Sequence, residues 1–183
     1  MKPIYINYLN GLDIEALAIT DAEILEAIET SLASQGRGEC VIEPRMHLKP
    51  NAGVDGHFNV LRGAIGAPIN LAGVKVVGDF VDNYKQDLPS EVGMLTLFDP
   101  RTGIPVAIVD ATAITDMRTG AVTAIGAKHL SKKTSKVLGH IGARGTSYWN
   151  VKLLDSIFHF DEIRVHSRRP ESRDAFEIGR AHV

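Results

Sequence analysis

The chain has 183 residues, a formal net charge of -2 at pH 7 and 44% hydrophobic residues. That suffices for one or two small domains with ordinary cores, and it gives no strong field for nucleic acid or an anionic membrane. The lone Cys40 excludes an internal disulfide framework, and there is neither a leader-like start nor an apolar run of roughly 18 residues, so a reducing, cytoplasmic setting is expected.

Residues 4–6 read as a short strand. Thr20-Asp21-Ala22-Glu23 is a capping box, and Leu25, Ile28 and Leu32 follow at helical spacing until Gly36. Strand patterns cover 40–42, 45–48, 57–61, 74–80, 94–98 and 106–110. Turn chemistry separates them at Pro50-Asn51-Ala52-Gly53 and at Asp99-Pro100-Arg101-Thr102-Gly103, the latter reading as a hairpin. An Ala-rich helix is expected over 117–130, and Ser131-Lys132-Lys133-Thr134-Ser135 reads as the domain boundary. The fold class is α/β: an α+β domain with a mixed or antiparallel sheet, then the start of a Rossmann-type α/β domain. The seven scattered histidines show no helical ligand pair, so no metal is expected.

The second part carries the most informative motif. Lys136-Val137-Leu138-Gly139-His140-Ile141 is strand-like and runs into Gly142-Ala143-Arg144-Gly145-Thr146, with a helical pattern behind. A dinucleotide-binding βαβ unit needs this order, because glycines allow a tight turn and the helix N-terminus offers its N–H groups to a pyrophosphate. The full G-x-G-x-x-G is not there: Arg144 stands where a glycine is expected and Gly145 follows. A second strand, 162–166, ends in Ser167-Arg168-Arg169-Pro170. An acid at that tip suits the ribose of NAD, whereas arginines suit the 2′-phosphate of NADP. A solvated basic turn is the alternative. After Pro170 a helix begins, Gly179 is expected to break it, and residues 177–183 read as a non-native tail.

Three cations stand out in the first part and at its end. Arg45 follows Pro44 at a strand start, Lys75 lies inside an apolar strand, and Arg118 sits where a helix is expected to begin. Alternation sets Lys75 opposite Val74 and Val76, and because lysine is rarely fully buried this by itself favours a solvated face over an anion site. A cation at a helix N-terminus opposes the macrodipole unless an anion joins it, which favours anion binding at Arg118.

As an ordered set the chain resembles the ornithine cyclodeaminase/μ-crystallin family. The matching stretches are Pro44-Arg45-Met46-His47-Leu48, Lys75-Val76-Val77, Leu88-Pro89-Ser90, residues 97–105, Asp110-Ala111-Thr112, residues 118–124, Ala127-Lys128-His129-Leu130 and Gly139 through Gly142. The resemblance implies a substrate-binding and dimerisation domain over 1–130 and the start of a Rossmann domain over 131–176. It implies that Arg45, Lys75 and Arg118 hold a substrate carboxylate. Asn83, Ser90, Gly139, Gly142, Ala143, Arg144, Gly145, Thr146, Ser167, Arg168 and Arg169 are the expected cofactor-binding positions, with NADP(H) favoured over NAD(H). Arg144 departs from the family's G-A-G turn, and 57–62 lack its Met-Pro-Ala pattern.

The expected activity is hydride transfer between a substrate Cα and nicotinamide, on a small amino acid or cyclic imine. Cyclodeaminases, amino-acid dehydrogenases and ketimine reductases all share this step. The alternatives are a non-catalytic NADPH-binding member and an inactive fragment. A homodimer is expected, with no nucleic-acid or membrane partner. The family's catalytic aspartate is expected beyond residue 183, so these residues alone are expected to be aggregation-prone and without turnover.

Overall fold

The computed structural model describes residues 2–50 and 53–180. In chain order the elements are β1 (Asn7–Leu9), α1 (Gly11–Ala16), α2 (Asp21–Gly36), β2 (Cys40–Ile42), β3 (Met46–Leu48), β4 (Gly56–Ile65) and β5 (Leu71–Phe80). A 3-10 turn at Val81–Gln86 leads to β6 (Glu91–Phe98), β7 (Pro105–Asp110) and α3 (Thr112–Leu130). Then come β8 (Val137–Ile141), α4 (Ser147–Phe158), β9 (Glu162–His166) and α5 (Pro170–Arg180). Two compact units result. One holds residues up to Ala18 and Thr30–Thr115, the other Ile19–Glu29 and residues from Asp116 on.

The first unit is a seven-stranded mixed sheet of order β1-β7-β6-β5-β4-β2, with β3 also paired to β4. Only β1 runs parallel to its neighbour; β4 to β7 form an antiparallel meander. The hairpin expected at 99–103 joins β6 to β7: Gly103, at φ 71, donates its N–H to the Asp99 carbonyl at 2.8 Å. Apolar residues of one face, Leu95, Leu97, Ala107 and Val109, pack with Ile14 of α1 and Ile114 of α3. The β4 and β5 strands are ten residues each, longer than their apolar runs, because they pair along their whole length from Gly56↔Phe80 to Ile65↔Leu71. The turn proposed around Asn51 and Ala52 lies in part outside the described residues.

Three expectations shift. The first strand is Asn7–Leu9, not 4–6: its partner β7 begins at Pro105, which has no N–H to extend the ladder toward Tyr5. Helix α1 went unpredicted, yet Asn10 and Asp13 form a reciprocal capping box at its start. Helix α3 begins at Thr112, five residues ahead of the expected start, where the Asp110 carboxylate accepts the Thr112 N–H at 2.8 Å.

In the second unit β8 and β9 pair in parallel, Val137↔Glu162 to Ile141↔His166, and α4 connects them. The pattern from 137 to 166 therefore folds as one βαβ unit. Its core is Ile24, Ala121, Ala124, Leu153, Leu154 and Phe158. Burying the largest of these stabilises the unit by roughly 2 kcal/mol each. Gly120 is a required small residue: a Cβ there would lie 2.5 Å from the Trp149 carbonyl of α4. The Thr20–Glu23 box caps α2 as expected, with the Thr20 N–H donating to Glu23 at 2.8 Å. Helix α5 runs through Gly179 to Arg180, so that glycine does not break it. The remaining tail residues, 181–183, lie outside the described residues.

Candidate functional site

The β4–β5–β6 register decides which side chains share a face. Lys75 pairs with Leu61 and Leu95, and Val77 with Asn59 and Gly93. Lys75 thus shares its face with buried Val77, while Val74 on the opposite face is exposed. The solvated-face alternative for Lys75 does not hold. Its Nζ donates to Thr115 Oγ1 at 3.1 Å, and Thr115 in turn donates to the Ala111 carbonyl at 2.6 Å. Thr115 is only 6% exposed. The α3 start that holds it is tied to the sheet, because Gly93 N–H donates to Thr112 Oγ1 at 3.1 Å.

Arg45 precedes β3 by one residue and is exposed. Within β3, His47 pairs with Asn59 of β4. Lys75, Asn59 and His47 therefore belong to one sheet face, and Arg45 lies just ahead of β3. The same face carries His57, paired with Asp79 across β5. The His47 and His57 rings lie 5.3 Å apart, and His57 Nε2 is 4.0 Å from the Asp79 carboxylate. Asn59 is 8% exposed, and its Oδ1 is buried without a hydrogen-bond partner. In the sequence, 57–62 show only as a departure from the family pattern, and neither Asn59, Thr115 nor either histidine is named there as a site residue. Among the described residues no cluster suits a metal ion.

Asn83 and Ser90 come together in one loop. The Asn83 amide donates to the Pro89 carbonyl at 2.8 Å, and the Phe80 N–H donates to the Ser90 carbonyl at 2.9 Å. Arg118 belongs to the second unit and lies in the second turn of α3. The dipole argument for an anion there fails, since the helix N-terminus is a turn and a half earlier. Burial raises the carboxyl of neighbouring Asp116, while Arg118 opposes the shift.

The glycine turn closes the end of β8. Gly139 is inside the strand, paired with Arg164. Gly142 and Gly145 supply the turn, at φ 112 and 58, where other residues would be strained. Gly142 donates its N–H to the His166 carbonyl at 2.8 Å, which brings the turn beside Ser167 at the tip of β9. The Ser147 hydroxyl donates to the Arg144 carbonyl at 2.8 Å and so fixes the turn to α4. Thr146 gives α4 no side-chain cap, and no acid occupies its first turn. That leaves a helix N-terminus open to an anion. Ala143 and Arg144 lie between the two turn glycines, and Arg168 and Arg169 are exposed just past β9.

His140, in mid β8, also escaped the sequence reading. It stacks on Phe176 at 6.3 Å and 14°, and its Nε2 is buried without a partner. Burial holds its pKa below the ordinary value.

No helix among the described residues is long and apolar enough to cross a membrane. An archaeal alanine dehydrogenase dimer with bound NAD superposes with a TM-score of 0.89 at 27% identity, over 97% of this chain and 53% of that one. The Thermococcus litoralis Δ1-pyrroline-2-carboxylate reductase, solved with NADH and L-proline, gives 0.88 at 27% identity, over 93% and 52%. In sequence, alanine dehydrogenase of Archaeoglobus fulgidus is 30% identical over 90% of this chain and 49% of its own length. Rat ketimine reductase mu-crystallin is 28% identical over 92% and 54%. The chain thus spans about half the length of the curated relatives it matches. The pattern of one family covers residues 8–180. The chain belongs to the ornithine cyclodeaminase/mu-crystallin family.

Proposed function

We propose that the protein carrying this chain is an NAD(P)-dependent enzyme of amino-acid or cyclic-imine metabolism. The observation that carries the reading is the β8–α4–β9 unit: a positive-φ glycine turn feeding an uncapped helix N-terminus. It fits a dinucleotide, since Gly145 has open space about its Cα and no acid repels a phosphate at α4. The residues that would hold the cofactor are Gly142, Ala143, Arg144, Gly145 and Thr146 at the pyrophosphate. Gly139 lies behind the turn, and Asn83 and Ser90 complete the set from their own loop. When bound, the nicotinamide supplies the hydride chemistry.

The chain's own task is to orient substrate and neutralise its charge. Arg45, Lys75 and Arg118 are assigned to the substrate carboxylate. Arginine suits two-point binding, and the ammonium adds a charge-assisted bond. Thr115 Oγ1 accepts a hydrogen bond from the Lys75 ammonium, which helps to orient it. Fixing the carboxylate fixes the Cα position against the cofactor, which is where an oriented reaction gains its rate. Residues 1–130 serve substrate binding and dimerisation, and 131–176 open the nucleotide domain.

Two finer assignments follow. Ser167, Arg168 and Arg169 favour NADP(H), because two arginines and no acid stand at the tip of β9. A homodimer is favoured by an open apolar face. Met46, Val60, Val76 and Met94 form one cross-strand row and Leu48, Phe58, Gly78 and Val92 the next, with Met46, Leu48, Val92 and Met94 at least half exposed. The test of function is a nicotinamide absorbance assay on the complete protein with small amino acids in one direction and cyclic imines in the other. Turnover in either direction supports the reading. Cofactor binding with no turnover of any substrate would reject it.

A further inference from the structure

On the face that carries Lys75, one polar group has no partner. Asn59 sits in the middle of β4, 8% exposed, between His47 of β3 and Val77 of β5, and its Oδ1 is buried unpaired. A buried carbonyl without a donor is costly, so native proteins leave few of them. Such a group persists where something else donates to it. Valine or threonine would suit a mid-strand position and would lack this penalty.

The surroundings say what kind of donor it is. The next residue of β4 on the same face is His57, whose ring lies 5.3 Å from that of His47 and whose Nε2 is 4.0 Å from Asp79. These groups form a polar strip across β3, β4 and β5, next to the Leu61–Lys75 pair. A substrate held at its carboxylate by Arg45 and Lys75 has its side chain within reach of the neighbouring row. Successive rows on one face lie about 7 Å apart, a gap that a short substrate side chain spans together with a hydrogen bond of about 3 Å to Asn59.

We infer that Asn59 Oδ1 is a specificity-determining acceptor for a hydrogen-bond donor on the substrate's side chain. The favoured substrates are amino acids or imines whose side chain ends in a hydroxyl, amide or amine, over those ending in methyl groups. This rests on the proposed function and deepens it. A site built to bond a donor rejects the analogue that lacks it far more strongly than an apolar pocket rejects a missing methylene.

The test measures kcat/KM on the complete protein for pairs matched in size: serine against 2-aminobutyrate, and 2,4-diaminobutyrate against norvaline. Wild type is expected to prefer the donor-bearing member of at least one pair by tenfold or more. Asn59→Leu, close to isosteric but without an acceptor, is expected to lower that ratio at least tenfold. Asn59→Asp, which keeps an acceptor, is expected to retain it, and this separates recognition from folding if the leucine variant melts early. A wild-type preference for the apolar members overturns the inference, as does a leucine variant that folds and keeps the ratio. In both cases amino-acid turnover persists, so the proposed function stands. Absence of turnover with every amino acid and imine overturns both.

Discussion

Lys75 was conspicuous by type, a lysine in an apolar strand, but its face was not readable. Val74 and Val76 are as apolar as the residues on a core face, so alternation alone left two answers. Pairing with Leu61 and Leu95 and the bond to Thr115 settle it. Asn59 showed only as part of the departure at 57–62, because its burial comes from strands β3 and β5 rather than from its own neighbours in sequence. Lys75→Met is expected to lower kcat/KM at least a hundredfold on the complete protein, with the melting temperature little changed, since a half-buried methionine packs well in the same strand. Steady-state kinetics beside a thermal melt checks both parts. Arg168→Ala with Arg169→Ala is expected to weaken NADPH binding at least tenfold more than NADH binding. Fluorescence titration with both cofactors reads this, and equal losses would remove the NADP assignment. His140 makes a pH prediction. Its folded pKa is depressed by burial, so the unfolded chain binds the proton more readily. Stability is present above the ordinary histidine pKa and is lost as pH falls through that range. His140→Phe, which keeps a ring against Phe176, is expected to flatten this part of the urea-midpoint profile between about pH 7.5 and 5.

At the scale of elements, patterns with strong local chemistry were legible. The Thr20–Glu23 box, the 99–103 hairpin and the strand-turn-helix at 137–158 all have local causes, a cap or a positive-φ glycine. What failed depended on distant partners or on shortness. Helix α1 is only six residues long, and the start of α3 is set by Asp110 capping and by Gly93 of β6. That earlier start also removes the dipole rationale for Arg118, although the carboxylate binding proposed for it does not need a helix terminus. Gly120 gives the sharpest element-scale prediction. With Trp149 backbone 2.5 Å from any added Cβ, α3 and α4 must move apart. Gly120→Ala is expected to destabilise the second unit by about 2 kcal/mol despite alanine's better helix propensity. A denaturation midpoint equal to or above wild type would contradict the close packing.

For the whole molecule, the ordered set of motifs carried the family assignment where no single motif did, and the match over residues 8–180 agrees. The sequence could not show that one sheet face would stay open, because that follows from how β3 to β6 align. Met94→Glu, at the end of the Met46–Val60–Val76–Met94 row, is expected to shift the complete protein from dimer to monomer by sedimentation. The central claim is hydride transfer between a substrate Cα and the nicotinamide. Its most direct test is to give the complete protein an amino acid deuterated at Cα together with NADP+, and to analyse the recovered cofactor by mass spectrometry. The account predicts deuterium on the reduced nicotinamide and a slowed rate, both lost in Lys75→Met. Net reduction that leaves the nicotinamide unlabelled, or no conversion of any amino acid or imine, would contradict it.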